Sequence, residues 1–352
     1  MPLLYLMAGL FIASALLTGL LWLVAPRIHL LDIPVERSAH SKPVAVGGGI
    51  GVVILCFLVV LYYSRSGLIP FEESMALLAA LAIAFLGLID DLTQLHIRWR
   101  IPMQFIAAMW VVWWLPIVPA INLGLFVIEN PWVLTCLAVV ALVWLLNLFN
   151  FMDGIDGIAG SELVFVNLLS LLVVINSGDD VLALLSATFA ATAAGFLLWN
   201  WSPAKIFMGD VGSGFAGFSL GIMALLSMQH GSMTVWTWVL LLGVFIVDTA
   251  VTLLTRFRQN QRWYDGHASH AYQNAARRYQ SHSKVTITVI LINCLWLAPL
   301  AWLSTNQPDW GIYLTLIGIV PLVLLAIKLE AGRTMDFKAI AKKLKSLNSK
   351  LI

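Results

Sequence analysis

The sequence predicts an all-α, polytopic integral membrane protein with about eleven spanning helices, a periplasmic N-terminus and a cytoplasmic C-terminus. Two observations lead to this fold class. Of the 352 residues, 61% are hydrophobic and only 11% are charged, whereas a soluble domain carries about 25% charged residues. The basic residues also collect in alternate loops, as they do in helical membrane proteins. We therefore treat the bilayer as the solvent in which this chain folds.

The spans follow from the apolar runs. Crossing a bilayer takes roughly 20 mostly apolar residues per helix, and we count about eleven such runs, with an uncertainty of one. They lie at about 2–25, 44–63, 74–89, 102–118, 131–149, 159–177, 181–200, 212–229, 232–255, 285–304 and 310–328.

The orientation follows from the first run. No basic residue precedes it, Arg27 follows it, and it contains no convincing small-residue cleavage site, so we expect an uncleaved helix with its N-terminus outside. Of the 20 Lys and Arg residues, all but Arg65 then fall in cytoplasmic segments. These segments are about 26–43, 90–101, 150–158, 201–211, 256–284 and the tail after residue 328.

The domain organisation is one membrane domain, residues 1–328, followed by a basic tail, residues 329–352. In the tail, Phe337, Ile340, Leu344 and Leu347 recur at helical spacing, with lysines largely on other faces. We expect an amphipathic helix lying on anionic lipid. A disordered, solvated tail is the alternative.

Charge and cysteine usage argue against a nucleic-acid-binding protein, a disulfide-bonded protein and a zinc protein. The net charge of +2 carries little information once the basic residues are sorted by side, and we expect no nucleic-acid partner. Cys56, Cys136 and Cys294 each stand alone in an apolar run. This pattern predicts packed thiols and neither disulfides nor a zinc site.

The first chemical motif is the pair Asp90 and Asp91 at the end of the third span. The C-terminus of a helix carries partial negative charge, so two carboxylates there repel both the helix and each other. A cation should offset them: Mg²⁺, Arg98 or Arg100, or Lys42 from a neighbouring loop. The alternative is a solvated pair just outside the bilayer.

The second motif, NLFNFMDGIDG, covers residues 147–157 at the end of the fifth span. Asn147 and Asn150 are three residues apart, as are Asp153 and Asp156, so each pair shares a helical face. Gly154 allows a phosphate or nucleotide to approach the backbone. A capped turn before the sixth helix explains one aspartate, but not four polar residues at this spacing.

The third motif, NWSPAKIFMGDVGS, covers residues 200–213. Phe207 offers an aromatic face to a base, and Lys205 offers a point charge to phosphate. Asp210 stands where a helix N-cap would stand, and capping is the alternative to a ligand-binding role.

The fourth motif is the loop 256–284, which contains His267 and His270 between basic residues such as Arg256. We interpret it as a phosphate-binding lid. A zinc site lacks a third ligand at familiar spacing, and a lipid-facing basic loop remains the alternative.

Weaker signals complete the set. Arg37, His40 and Lys42 precede the second span and are placed to meet phosphate. Asp248 and Glu162 are acidic at membrane depth and are therefore functional candidates. Asp248 has Arg256 or a polar group of a neighbouring helix as an alternative partner.

The joint placement of these motifs decides between enzyme and transporter. The topology puts the aspartate pair, both Asp/Gly motifs and the histidine loop on one side of the membrane. A transporter would more naturally place its ionisable groups near the midplane, in broken helices. A multispanning transporter of a nucleotide sugar or lipid-linked sugar is therefore the second candidate.

The motifs together resemble the polyprenyl-phosphate N-acetylhexosamine-1-phosphate transferase family. The matching features, in family order, are DxPxxRxxHxxP from residue 32, the aspartate pair, NxxNFMDGIDG, NxxPAKIFMGDVGS, the DT at 248–249 and the histidine loop. They span roughly residues 32–273. The histidine loop is similar to that of enzymes that start O-antigen synthesis, and it lacks the longer histidine run of the more distant peptidoglycan enzyme.

The resemblance implies an eleven-helix, Mg²⁺-dependent enzyme of the bacterial inner membrane, with Mn²⁺ as a second candidate metal. Such an enzyme would transfer an N-acetylhexosamine 1-phosphate from a UDP-sugar to undecaprenyl phosphate at the cytoplasmic face, release UMP and start O-antigen or another cell-surface polysaccharide. The sugar would be N-acetylglucosamine or a 6-deoxy relative such as N-acetylfucosamine or N-acetylquinovosamine. A homodimer stays open.

The resemblance also implies residue roles. Asp210 would bind the metal with Asp91, Asp90 and Asp91 would handle the acceptor phosphate, residues 154–156 with Phe207 would form the uridine pocket, and His267 and His270 would contact the sugar or diphosphate. The expected catalytic residues are Asp90, Asp91, Asp153, Asp156, His267 and His270. The expected substrate-binding residues are Arg37, His40, Lys42, Asn147, Asn150, Gly154, Ile155, Asn200, Lys205, Phe207, Asp248 and Arg256.

Overall fold

The computed structural model describes residues 2–28, 30–33, 43–261 and 268–333. The α-helices are α1 Pro2–Val24, α2 Gly49–Arg65, α3 Phe71–Thr93, α4 Ile97–Trp114, α5 Pro131–Met152, α6 Ile158–Val174, α7 Asp180–Asn200, α8 Asp210–Gln229, α9 Val235–Leu241, α10 Gly243–Arg258, α11 Ala271–Tyr279, α12 His282–Ile292, α13 Ala298–Asn306 and α14 Gly311–Lys328. A π-helical turn, Asn293–Leu297, joins α12 to α13.

Strands are few in the described residues. The strands β1 (Leu31–Asp32) and β2 (Val44–Ala45) pair antiparallel, and β3 (Ile121–Asn122) pairs antiparallel with β4 (Val127–Ile128). The first pair lies at the same end of the bundle as the carboxyl end of α3, because β2 continues into the loop that hydrogen-bonds to the chain before α8. The second pair lies between α4 and α5.

The predicted all-α membrane fold agrees with the structure. Within the described ranges, seven helical segments are long and apolar enough to cross a membrane, and the pair α9 and α10 makes an eighth if it is one span broken by a bend of 79°. The helices α2 and α6 are apolar but shorter, and α4 has 18 residues. Nine of the eleven apolar runs read from the sequence overlap a single helix, whereas the run at about 232–255 is divided between α9 and α10 and the run at about 285–304 covers α12, the π-helical turn and α13. The number of spans and their orientation stay predictions, and most of the tail, residues 334–352, lies outside the described residues.

The middle of the bundle is formed by α7 and α8. In the apolar stretch of α7, 78% of the residues are buried within the protein, and in that of α8 89% are, against 22% for α1 and 33% for α14. The helix α7 packs on α1, α2 and α6, while α8 packs on α3 and α5. Glycines allow the closest approaches. A Cβ on Gly217 of α8 would lie 2.3 Å from the carbonyl oxygen of Leu145 in α5.

Some polar side chains inside the bundle bind partners across helix interfaces, because a bilayer core offers no water to replace such a bond. Glu162, an acidic candidate in the sequence, accepts a hydrogen bond of 2.6 Å from the amide of Asn293. This contact joins α6 to the π-helical turn after α12. A partner across the helix interface therefore accounts for the presence of Glu162 in an apolar helix.

A cluster of charged groups closes one end of the bundle. The His230 ring lies 2.9 Å from Asp179 Oδ1 through Nδ1 and 3.0 Å from Glu73 Oε1 through Nε2. Glu73 begins α3, Asp179 precedes α7, and His230 follows α8. We call this group the His230 cluster, and the functional candidates lie at the other end of the same helices.

Candidate functional site

A cavity of about 620 Å³ opens at the end of the bundle where α3, α5 and α7 finish and α8 and α12 begin. Residues that are far apart in the chain meet here because antiparallel helices bring alternate loops to one end. The site residues expected from the sequence that line it are Asp90, Asp91, Asn150, Asp153, Gly154, Ile155, Asp156, Asn200, Phe207 and Asp210. The second and third motifs and the aspartate pair therefore form one site.

The placement of Asp91 resolves why a carboxylate stands at the wrong end of a helix. Its Oδ1 accepts a hydrogen bond of 2.9 Å from the backbone N–H of Asp210, and its Oδ2 accepts one of 3.1 Å from that of Val211. Asp91 thus satisfies free amides at the N-terminus of α8, where negative charge is favourable. The unfavourable end of α3 is offset by the favourable end of α8.

Asp90 has a different partner. Its Oδ2 lies 2.5 Å from Nη1 of Arg100, and its Oδ1 accepts a hydrogen bond of 2.7 Å from the backbone N–H of Leu95. Nη2 of Arg100 also lies 3.5 Å from Oδ2 of Asp210. Of the two arginines considered from the sequence, Arg100 is therefore the one that the structure brings to the aspartate pair.

Asp210 is held by the second motif. Its Oδ1 accepts a hydrogen bond of 2.6 Å from the Asn150 amide, which also lies 3.3 Å from the Ser213 hydroxyl. Asn150 ends α5 and Asp210 begins α8, so this bond fixes one helix end against another. Capping, the alternative for Asp210, is carried out here by Asp91 instead.

Negative charge dominates this part of the cavity. Among the described residues, six aspartates line the cavity against one arginine. Burial, together with the charges of Asp210, Asp91 and Asp156, raises the pKa of Asp153 well above its ordinary value. A cation among these oxygens would relieve the repulsion, so the residues present fit a bound metal.

The donor set indicates which metal suits the site. The described residues contain no group of three His, Cys, Asp or Glu side chains arranged for a metal ion. Mg²⁺ accepts one or two carboxylates and keeps several waters, whereas zinc needs more protein ligands. Asp210 and Asp91 each retain unused carboxylate lone pairs, so these two residues suit Mg²⁺ better than zinc.

The other end of the cavity is organised around Asp156. Its Oδ2 accepts a hydrogen bond of 3.2 Å from the backbone N–H of Ala204, and its Oδ1 lies 3.2 Å from Nδ1 of His282. Burial acts to raise the pKa of Asp156, but the contact with His282 and the Ala204 N–H lower it below its ordinary value. Asp156 is therefore a carboxylate that positions neighbouring groups.

Asn200 joins the second motif to the third. Its side-chain oxygen accepts a hydrogen bond of 3.1 Å from the backbone N–H of Gly157, and its amide donates one of 3.0 Å to the Ile206 carbonyl. Gly154 permits a close approach, since a Cβ there would lie 2.2 Å from the hydroxyl of Tyr272. The loop that carries Phe207 is thus fixed to the loop 153–157.

Of the expected site residues that the structure describes, five do not line the cavity. Asn147 donates hydrogen bonds of 2.8 Å to Gln104 and to the Val143 carbonyl, one turn deeper in the bundle. The Lys205 ammonium lies 4.9 Å from the ring centre of Trp199 and 5.9 Å from that of Trp22. The other three are Asp248, His270 and Arg256.

Asp248 and His270 lie at the N-terminus of α11. Asp248 accepts hydrogen bonds of 2.9 and 2.8 Å from the backbone N–H groups of Ala271 and Tyr272, and its Oδ1 lies 3.1 Å from Nδ1 of His270. Both side chains are buried. A polar group of a neighbouring element thus accounts for Asp248.

Arg256 is in the last turn of α10. The structure does not describe four other residues expected at the site: Arg37, His40, Lys42 and His267.

Some lining residues escaped the sequence interpretation. Gln94, Ser213, Gln273 and His282 line the cavity, and Arg100 was considered only as one of several cations. Ser213 and Gln273 lie inside motifs that were recognised, so their position was a usable signal. His282 lies in the loop 256–284, but its spacing indicates no role, because its partner Asp156 is 126 residues away.

A protein-family model matches the part of the chain that carries this site. Residues 73–228 match the model of glycosyl transferase family 4. This range includes the aspartate pair and the second and third motifs.

Relatives extend the similarity over most of the chain. A Bacillus subtilis protein named "Probable undecaprenyl-phosphate N-acetylglucosaminyl 1-phosphate transferase" is 29% identical over 81% of this chain and 82% of its own length. The decaprenyl-phosphate N-acetylglucosaminephosphotransferase of Mycobacterium leprae is 26% identical over 78% and 77%. A phospho-N-acetylmuramoyl-pentapeptide-transferase of Synechococcus is 31% identical over only 38% and 36%. The peptidoglycan enzyme is therefore also a relative.

Proposed function

We propose, from the premise that the chain belongs to the polyprenyl-phosphate N-acetylglucosamine-1-phosphate transferases of glycosyl transferase family 4, that it transfers an N-acetylhexosamine 1-phosphate from a UDP-sugar to undecaprenyl phosphate. The resemblance drawn from the motifs is confirmed at the level of the family. The chain is a membrane transferase of a phospho-sugar to a polyprenyl phosphate. The donor sugar, the metal and the pathway belong to the proposal.

The carboxylate cluster beside an open cavity is the observation that carries the proposal. A volume of about 620 Å³ lies within the range of small-molecule sites, roughly 300–1,000 Å³, and is sufficient for a nucleotide diphosphate sugar. Asp90, Asp91, Asp153 and Asp210 occupy one end of it, with Arg100 between Asp90 and Asp210. Phosphoryl transfer needs positioning and charge neutralisation, and Arg100 together with a cation held by these carboxylates would supply both.

Mg²⁺, or Mn²⁺ in its place, would be held by Asp210 and Asp91, and when bound it would neutralise charge on the transferring phosphate. Asn150 fixes the orientation of Asp210 through its hydrogen bond of 2.6 Å. Arg100 holds Asp90 and reaches the same end of the cavity, where its guanidinium can bind a phosphate oxygen.

The proposed chemistry is an in-line displacement. An oxygen of the polyprenyl phosphate attacks the β-phosphorus of the donor, the bond from that phosphorus to the UMP oxygen breaks, and UMP leaves. The second pKa of a phosphate monoester is about 6, so the acceptor needs no base at neutral pH. Asp90, which Arg100 and the Leu95 N–H already bind, therefore orients the acceptor rather than deprotonating it.

The biological setting is inferred in the same way. The names of the Bacillus and Mycobacterium relatives favour N-acetylglucosamine as the first donor to test, with the 6-deoxy sugars N-acetylfucosamine and N-acetylquinovosamine next. We place the cavity at the cytoplasmic face of the bacterial inner membrane, because the basic residues collect at that side. The product would start O-antigen or another cell-surface polysaccharide.

The test is UMP exchange. Membranes that contain the wild-type protein should exchange labelled UMP into UDP-N-acetylglucosamine only when Mg²⁺ and polyprenyl phosphate are present. Asp210→Asn should lower the exchange rate by at least about 100-fold, because an electrostatic contact made at the reacting phosphate is lost. His230→Gln, at the opposite end of the bundle, is the matched control and should keep the exchange rate.

Two results would contradict the proposal. Absence of exchange with every UDP-N-acetylhexosamine in a panel would remove the enzyme assignment. Accumulation of a nucleotide sugar or lipid-linked sugar in sealed vesicles, without chemical turnover, would favour the transporter instead.

A further inference from the structure

His282 lines the cavity, and the proposed chemistry gives it no role. It begins α12, and its side chain is 20% exposed. Nδ1 lies 3.2 Å from Oδ1 of Asp156 and 3.5 Å from the backbone nitrogen of the same residue. One nitrogen cannot donate to the first and accept from the second. The shorter contact to a carboxylate is the stronger one, so we assign the proton to Nδ1.

Asp156 is held rigidly enough to orient the ring. Its Oδ2 accepts a hydrogen bond from the Ala204 N–H, and its carbonyl oxygen accepts one of 3.0 Å from the hydroxyl of Thr286, one turn after His282 in α12. Two side chains of α12 therefore bind Asp156: His282 contacts its carboxylate, and Thr286 donates to its main-chain carbonyl. The His282 ring, attached to this assembly, has a defined direction.

The second ring nitrogen remains for a ligand. With Nδ1 donating to Asp156, Nε2 of the neutral ring is an acceptor. Within the described part of the chain, Nε2 has no hydrogen-bond partner, although it is not buried away from solvent. Since His282 lines the cavity, a donor group of a bound molecule can meet this acceptor.

We propose that Nε2 of His282 accepts a hydrogen bond from N3–H of the uracil base, which makes His282 a specificity-determining residue for the nucleotide of the donor. This inference rests on the proposed function. The diphosphate belongs at the carboxylate cluster, so the base lies toward the part of the cavity lined by Ile155, Asp156 and Phe207. His282 is attached to that part through Asp156.

The chemistry discriminates between bases. Uracil carries a hydrogen on N3, whereas cytosine carries a lone pair there, and an acceptor on the protein pairs with the first and repels the second. A site built to bond one polar group rejects an analogue that lacks it. Methylation of uracil at N3 removes the same hydrogen and should weaken binding in the same way.

The experiment measures nucleotide binding to the full-length protein in detergent or nanodiscs by calorimetry, with UMP, CMP and N3-methyl-UMP as probes. We expect wild-type protein to prefer UMP over both analogues by roughly tenfold or more, because each analogue loses the bond to N3 and places a lone pair or a methyl group against the acceptor. His282→Ala should bring both preferences close to one. His282→Gln, whose amide oxygen is an acceptor of similar reach, should retain part of them.

A second variant tests the orientation of the ring. Asp156→Asn can present an amide donor to Nδ1, which moves the ring proton to Nε2 and converts the acceptor into a donor. The preference for UMP over CMP should then fall although His282 is still present. Thr286→Val removes only the bond from α12 to the Asp156 carbonyl. It is the matched control for loosening of the helix, and thermal unfolding measures how much stability each variant loses.

The outcomes separate the two proposals. Unchanged preferences in His282→Ala, or an equal loss of affinity for all three nucleotides, overturn the assignment of His282 and leave the transferase proposal intact, since wild-type protein still binds UMP. A wild-type protein that binds none of the three overturns both.

Discussion

At the scale of single residues, Asp91 has two roles that a variant can separate. It accepts hydrogen bonds from two backbone N–H groups at the start of α8, and we propose that it also binds the metal. The first role needs only an acceptor, whereas the second needs a charge. A neutral side chain that keeps an acceptor therefore distinguishes them.

We expect Asp91→Ala to lower the free energy of unfolding by about 0.5–2 kcal/mol, the range for loss of a helix cap. Asp91→Asn keeps one acceptor oxygen and should lose less stability, yet it should abolish UMP exchange because the charge is gone. Thermal unfolding in detergent and the exchange assay give the two readouts. An active Asp91→Asn protein would limit Asp91 to capping.

Several side chains at this scale were predictable and others were not. Asp90, Asp153, Asp156 and Asp210 stand in motifs whose spacing already indicates a shared face or loop. His282 was not predictable, because its role depends on a contact that only the packing of α12 against the loop 153–157 creates. Lys205 shows the converse: its loop predicts a contact to phosphate, but its ammonium lies beside the faces of Trp22 and Trp199.

At the scale of helices, the distance between α3 and α8 determines the site. Gly87 of α3 faces the backbone of α8, and a Cβ there would lie 2.4 Å from the carbonyl oxygen of Asp210. Asp90 and Asp91 lie one turn further along α3. The absence of a side chain at position 87 is therefore what allows these carboxylates to reach the start of α8.

Gly87→Ala should separate the two helix ends and lower the UMP exchange rate by roughly 10- to 100-fold, because small displacements of reacting groups have effects of that size. The matched control is Gly214→Ala in α8, where the nearest atom to a new Cβ would be Ile83 Cγ2 at an ordinary 3.5 Å. That variant should keep activity and stability, since alanine favours a helix over glycine. Equal exchange rates in the two variants would contradict the role of close helix packing.

The broken pair α9 and α10 shows what hydropathy leaves undetermined. The sequence has one apolar run at about 232–255, and the structure divides it by a bend of 79° between Leu241 and Gly243. Hydropathy registers apolar length and contains no information on direction. The bend places Asp248 beneath α11, where it binds the backbone of Ala271 and Tyr272.

At the scale of the whole molecule, the bundle has two polar ends of different character. One end holds the carboxylates and the cavity. The other holds the His230 cluster, in which the hydrogen bonds that His230 donates to Asp179 and to Glu73 raise its pKa to about 10. The cluster joins the far ends of α3, α7 and α8, the helices whose other ends build the site.

This contact makes stability depend on pH. The ordinary pKa of histidine is about 6.5, so the stabilisation is fully present below about pH 6.5 and is lost as the pH rises toward about 10. The difference in melting temperature between wild-type protein and His230→Gln should therefore shrink across that interval. A difference that stays constant from about pH 6 to about pH 10 would show that the charge on His230 contributes no stability.

The sequence alone predicted that the chain folds in a lipid bilayer, that the fold is all-α, and which family the chain resembles. These follow from properties that are local or additive: apolar length, the side on which basic residues collect, and motifs whose spacing is short enough to share a turn or a loop. They needed no knowledge of which helix lies beside which. The gathering of the motifs at one end of the bundle was predictable for the same reason.

Only the tertiary structure decided which partner each polar group has. Arg100 rather than Arg98 meets Asp90, Asp91 caps a helix that begins 119 residues later, and Asp248 and His270 lie beneath α11 instead of lining the cavity. These pairings depend on helix contacts at the level of single atoms, such as the approach of Gly87 to Asp210. Hydropathy and spacing do not encode contacts between distant segments, and the close packing of α3, α5, α8 and α12 supplies them.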